Sequence, residues 1–357
     1  MKGHAIRPGL ISTGGMLFAS ALLLSLFLPG LDPAADLKAP PAPSIQRRIE
    51  FVQTFYSEKD AHPKRSFLNR VVDIVAGPPA FRSLVRPYSI TTDSRGRILV
   101  TDPGSLTVHI FDFKNKKYSH LEGSRKESFQ SPIGIAVDGE DNIYVTDSRL
   151  GKIFVFDARG KFHRYLGEKG GEGLFKRPTG IAIDPLERRI YLSDTLYQKI
   201  FKLDFEGNVL TSFGGRGTEP GHFNFPTSVA LRGDNLIVID AMNFRVQLFD
   251  RNGNFRSTFG GLGDSTGMFN RPKGLATDSE GNIYIVEGLF ETVQIFNPEG
   301  HLLLYFGNDG NGQGEFQLPS GLWVDSSDRI YVSDSYNHRV QIFQLVRNQP
   351  PGPERNP

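Results

Sequence analysis

The chain has 357 residues, a formal net charge of +2 at pH 7, no cysteine, 39 glycines and 23 prolines. The missing cysteines exclude disulfides, thiol catalysis, thiolate zinc sites and lipid attachment at a cysteine. The near-neutral charge supplies no global basic field for nucleic acid, and the length suits one large domain or two ordinary ones.

Lys2 and Arg7 precede an uncharged stretch over residues 8–31, most apolar at residues 16–28. A basic start and a short apolar run read as an export signal, and the uncharged stretch is also long enough for an uncleaved membrane anchor. Residues 1–31 are therefore expected to be a signal peptide or membrane anchor. The remainder is then expected outside the cytoplasm, on the extracytoplasmic face of the membrane or in the periplasm. Residues 32–44 are rich in proline and alanine and read as an extended linker.

Residues 49–55 are apolar enough for a strand and look like the segments at 209–213 and 255–259. Further on, Phe67, Leu68, Val71, Val72 and Val75 fall at helical spacing. A short helical insertion is expected over residues 64–76, with a strand through residues 71–75 as the alternative.

From Pro87 onward the sequence repeats. Units open at Pro87, Pro132, Pro178, Pro226, Pro272 and Pro319, with spacings, by subtraction, of 45, 46, 48, 46 and 47 residues. That period is typical of propeller blades. Each unit consists of short runs rich in Ile, Val, Tyr and Phe, separated by turn residues, which is strand chemistry. Four such runs per unit predict an all-β fold: a six-bladed β-propeller of four-stranded antiparallel blades over residues 45–344. The sixth unit ends after its third strand, so residues 49–55 are expected to supply the missing strand and close the ring. Residues 345–357 are expected to form a disordered tail.

The last unit contains Asn337-His338-Arg339-Val340-Gln341, and the fourth contains Asn243-Phe244-Arg245-Val246-Gln247. Between units, Phe-Gly followed by G-x-F-x-x-P recurs at Phe213-Gly214 to Pro226, Phe259-Gly260 to Pro272 and Phe306-Gly307 to Pro319. These strings resemble the NHL repeat, over about residues 87–344. The resemblance implies the propeller fold and leaves function open, because one fold hosts many unrelated sites.

The hairpin turns on one face of such a ring are tight, whereas the loops after each second strand and the blade-to-blade connections share the other face. An acidic residue ends each second strand: Asp102, Asp147, Asp194, Asp240, Glu287 and Asp334. These are expected to cap their own turns, aided by the basic residue five positions on (Lys152, Lys199, Arg245 and Arg339). They are expected to lie too far apart to share a metal ion. The loop tips that follow are apolar for their position. Arg149, Leu196, Tyr197, Met242, Phe244, Leu289, Phe290, Tyr336 and His338 are the candidate binding residues, the alternative being that several fold inward.

His109, His120, His163, His222, His301 and His338 share no repeat column, and no paired-histidine metal motif occurs. No catalytic set and no cofactor are therefore assigned. The sequence reads best as an exported, membrane-tethered binding or scaffold propeller that presents its loop face to a protein or peptide partner. Contact with the membrane is expected through the N-terminal segment only, and no nucleic acid is expected. The alternative is a metal-assisted lyase or hydrolase with a divalent ion at the channel mouth.

Overall fold

A computed structural model describes residues 46–61 and 81–348. The expected signal or anchor at 1–31, the linker at 32–44, the helix at 64–76 and residues 349–357 lie outside the described residues. The described residues form six four-stranded antiparallel sheets, five of them with their strands in chain order. The second blade is representative, with strands Pro132–Val137, Ile143–Asp147, Lys152–Phe156 and Phe162–Leu166. Its second and third strands are buried throughout. Near-continuous apolar runs are expected of strands covered on both faces.

That double coverage shows in the core. Buried side chains gather into clusters at the junctions between blades. Leu99, Ile110, Val145 and Phe154 join blades one and two, and Tyr191, Phe223, Val238 and Phe249 join blades three and four. The apolar surface of each sheet is thus split between two neighbours, so no blade has a core of its own.

The sixth blade is composite. Its strands Leu322–Val324, Arg329–Asp334 and Arg339–Asn348 are completed by Gln46–Phe55, which pairs antiparallel with Arg339–Asn348. Both outer strands run further than the sequence suggested. The pairing extends to Gln46 opposite Asn348, so residues 345–348 are strand where a disordered tail was expected. Leu345 shows why: it is buried in the cluster between blades five and six. After the closing strand the chain makes one helical turn, Glu58–Ala61, and Ser57 bridges Ser83, which brings the two ends of the insertion together.

Two glycine columns explain how the blades fit. Two residues after the blade-opening proline, Gly134, Gly180, Gly274 and Gly321 lie against the backbone of the next blade's opening segment, where a Cβ would collide. At the connections, Gly214, Gly260 and Gly307 have φ of 95°, 87° and 98°. A Cβ there would strike the rings of Phe223, Phe269 and Phe316. The Phe-Gly and G-x-F parts of the connecting signature are therefore one packing unit.

Candidate functional site: the connection face and channel mouth

The acidic column is structural. Asp194 is fully buried and accepts the backbone N–H groups of Lys176, Arg177, Leu196 and Tyr197 at 2.7, 3.2, 3.1 and 2.9 Å. It therefore ties the incoming connection to its own loop, which goes beyond the expected cap on a single turn. In blades four and six the Asn, Arg and Gln of the NHL-like string join in. Asn337, Arg339 and Gln341 all donate to Asp334, and Arg339 also donates to the carbonyls of Asn311, Gly312 and Glu315. Gln341 Oε1 accepts the N–H of Gly314, as Gln247 does from Gly221. Lys152 departs from the expected pairing with Asp147. It is buried between Glu127 and Glu168 at 2.9 and 3.1 Å, because the connection after blade two is a short hairpin that brings Glu168 within reach. Among the described residues no group of three or more His, Asp or Glu side chains is placed to hold a metal ion.

The loop tips stand outside this frame. Leu196, Met242, Leu289 and Tyr336, at one repeat position in blades three to six, are 47%, 52%, 47% and 55% exposed. Arg149 is exposed at the same position in blade two, and Tyr197 is exposed beside Leu196 with Lys176 Nζ 4.6 Å from its ring. Phe244 is half-buried and packs against the cluster between blades four and five; Phe290 is also half-buried. His338 is exposed, its Nδ1 hydrogen-bonded to the carbonyl of Val85 in blade one. The candidate residues thus divide into an exposed set and a partly packed set.

Inside the ring of tips lies a second ring that the sequence analysis missed. The residue before each blade-opening proline is Arg86, Ser131, Arg177, Phe225, Arg271 or Leu318. Arginine therefore falls on alternate blades, one, three and five, and all three are exposed. Among the described residues none of the three forms an ion pair. The residue after the proline lines the central channel, a cavity of about 210 Å³ walled by the six first strands. Here stand Tyr88, Thr179, Thr227, Lys273 and Ser320. Burial pushes the Tyr88 phenol above its ordinary pKa, while the guanidiniums of Arg177 and Arg271 pull the other way. The Tyr88 side chain thus lies within electrostatic range of arginines from blades three and five.

Lys273 is the least provided-for group in this ring. Its aliphatic stem runs over Gly288, where blades two, three and six carry Ser148, Thr195 and Ser335. Those hydroxyls bond the next blade's Pro178, Pro226 and Pro87 carbonyls, so the glycine exchanges an inter-blade bond for room. Among the described residues the ammonium makes no ion pair or hydrogen bond. Burial, with Arg271 adding repulsion, lowers its pKa to about 8.

Glu291 lies close enough to affect it. Burial raises the Glu291 carboxyl to about 7, and its Oε2 is buried without a hydrogen-bond partner. Its left-handed backbone, φ 56°, is shared by Gln198 in the same column, φ 57°, whose amide oxygen accepts the N–H of Phe225 at 2.7 Å. Glu291 receives the matching bond from Leu318. Glutamine is therefore a natural replacement. A carboxyl whose folded pKa is raised loses stability as pH climbs from its unfolded value to its folded one. Glu291→Gln is expected to match the wild type near pH 4.5 and to gain an advantage up to about pH 7, level above that. Denaturant midpoints across this range check it, and a variant less stable than wild type at neutral pH would refute the assignment.

The comparisons agree with this architecture. A family model described as a 6-bladed beta-propeller matches residues 117–212, and an NHL repeat model matches residues 316–343. The protein is a six-bladed propeller with NHL-repeat sequence in its last blade. No curated protein matches the chain. Among solved structures, virginiamycin B lyase from Staphylococcus aureus is 12% identical, with 84% of this chain and 100% of that chain covered and a TM-score of 0.55. An auxiliary nutrient binding protein from Bacteroides thetaiotaomicron is 11% identical over 73% of this chain and 69% of that chain, TM-score 0.59. A gluconolactonase from Xanthomonas campestris is 15% identical over 73% and 86%, TM-score 0.57. At such identities the likeness is one of fold.

Proposed function

We propose that this protein is an exported, membrane-tethered binding propeller that presents its connection face to a protein or peptide partner in the cell envelope. The observation that carries the reading is the set of large apolar side chains, Leu196, Met242, Leu289 and Tyr336, held exposed at one repeat position around the channel. Their loops are fixed by buried carboxylates, so the side chains are presented on a rigid frame and little ordering entropy opposes docking. Large exposed apolar and aromatic side chains are the residue types that anchor protein-binding surfaces. One structural neighbour is described as an auxiliary nutrient binding protein, which is compatible with a binding role. Tethering rests on the apolar run at residues 16–28.

Replacing Leu196, Met242, Leu289 and Tyr336 by serine together is expected to leave thermal unfolding nearly unchanged, since exposed positions contribute little. Partner crosslinking on intact cells is expected to fall at least about tenfold, as loss of several anchor side chains at an interface does. Undiminished crosslinking to the folded variant would remove the apolar ring from the reading. Protease added to intact spheroplasts is expected to digest the propeller; protection until lysis would refute export.

A further inference from the structure

The channel mouth holds several cationic groups and lacks their anion. Arg177, Arg271 and Lys273 have no ion pair among the described residues. The nearby carboxyls of Glu291 and Glu287 make no ion pair with Lys273 among the described residues. A half-buried ammonium without a partner is costly, and a glycine at position 288 keeps the space it lies in. Structure alone gives no reason to place a lysine where other blades carry Ile133, Thr179, Thr227 and Ser320.

We propose that the channel mouth is a receptor for a carboxylate group, seated between Lys273 and Tyr88 with Arg177 and Arg271 at its rim. This rests on the reading of the connection face as the binding face. Guanidinium groups match a carboxylate with paired N–H donors, and Lys273 supplies a point charge below them. The Tyr88 hydroxyl, without a hydrogen-bond partner among the described residues, is a further donor. The apolar tips outside then receive the body of whatever carries the acid. The carboxylate is supplied by a free polycarboxylate or by an acidic side chain of the bound peptide.

Titration calorimetry on the full chain, with citrate and with an acetylated, amidated tri-glutamate peptide as probes, tests this. Wild type is expected to bind at least one probe, and Lys273→Met to bind it at least about tenfold more weakly, the usual effect of losing a charge-assisted bond. Arg177→Gln with Arg271→Gln is expected to weaken binding and flatten its salt dependence. Lys273→Met removes a desolvated charge, so it is expected to melt no lower than wild type, and its weakened binding would not reflect misfolding. Citrate binding without peptide binding assigns a free carboxylate; tighter peptide binding assigns the partner's acidic segment. Inorganic phosphate binding more tightly than either would overturn the carboxylate assignment. Equal affinity in Lys273→Met, or no binding of either probe to wild type, would overturn the proposal. Partner crosslinking that depends on the apolar tips would survive that result, so the two readings fail separately.

Discussion

Deleting residues 46–55 from the full chain is expected to replace one cooperative unfolding transition with an early, broad one. The deleted strand is the outer edge of blade six and pairs with Arg339–Asn348 from Gln46 to Phe55. Its side chains do more than cover an edge. Phe55 is fully buried between blades six and one, 4.6 Å from Phe111 and 5.3 Å from Phe113, centroid to centroid. Phe51 meets Phe343 edge-on at 5.9 Å. A buried Phe→Ala substitution costs about 3–5 kcal/mol. Losing the whole strand also exposes a long sheet edge and a junction cluster, which is comparable with the roughly 5–15 kcal/mol stability of an ordinary domain. Phe55→Ala alone is expected to show the smaller loss. Val52, 47% exposed at the bulge between Phe51 and Gln53, serves as the control: Val52→Ser is expected within about 0.5 kcal/mol of wild type. An unchanged melting temperature after the deletion would mean the ring is closed by something else.

The ring itself was legible because its cause is periodic. Proline openings, glycine turns and short apolar runs recur with little drift, and the likeness of residues 49–55 to fourth strands pointed to the composite blade. The extent of that blade was less legible. A strand end is set by what its partner can pair with, and Leu345–Asn348 is strand because residues 46–49 lie opposite it. Loop tips were read by column, and the column holds Leu196, Met242, Leu289 and Tyr336 exposed. Phe244 and Phe290, two and one positions later in their blades, turn partly inward, a difference of side-chain direction that repeat spacing does not carry. The cationic mouth was less legible, because it is built from a different column than the acidic ends of the second strands. The alternating Arg86, Arg177 and Arg271 are visible beside the blade prolines, yet their convergence needs the ring to be closed. The shifted Lys273 and Glu291 pKa values depend on burial and on the space above Gly288, neither of which is a sequence property.

The NHL-like string makes its own prediction, because its conspicuous charges face inward. Asp334 accepts from the Gln317 N–H at 2.8 Å, Asn337 Nδ2 at 2.9 Å and Arg339 Nε at 2.7 Å, and both it and Arg339 are buried. Arg339 in turn holds three carbonyls of the connection between blades five and six. Asp334→Ala would leave that guanidinium buried without its counter-charge, and breaking a buried pair from one side costs about 3–5 kcal/mol. Asp194→Ala, whose carboxylate meets backbone N–H groups rather than a cation, leaves no buried charge behind and is expected to cost less, about 1–3 kcal/mol in all. Replacing both ends of the first pair, Asp334→Leu with Arg339→Met, is expected to recover part of the loss, since no lone charge remains. Urea unfolding of the three variants decides the order. If Asp334→Ala proves no worse than Asp194→Ala, the arginine of the string is not bound to the fold through its carboxylate. Its place would then have to be sought at the surface, beside Tyr56 and the sixth-blade loop.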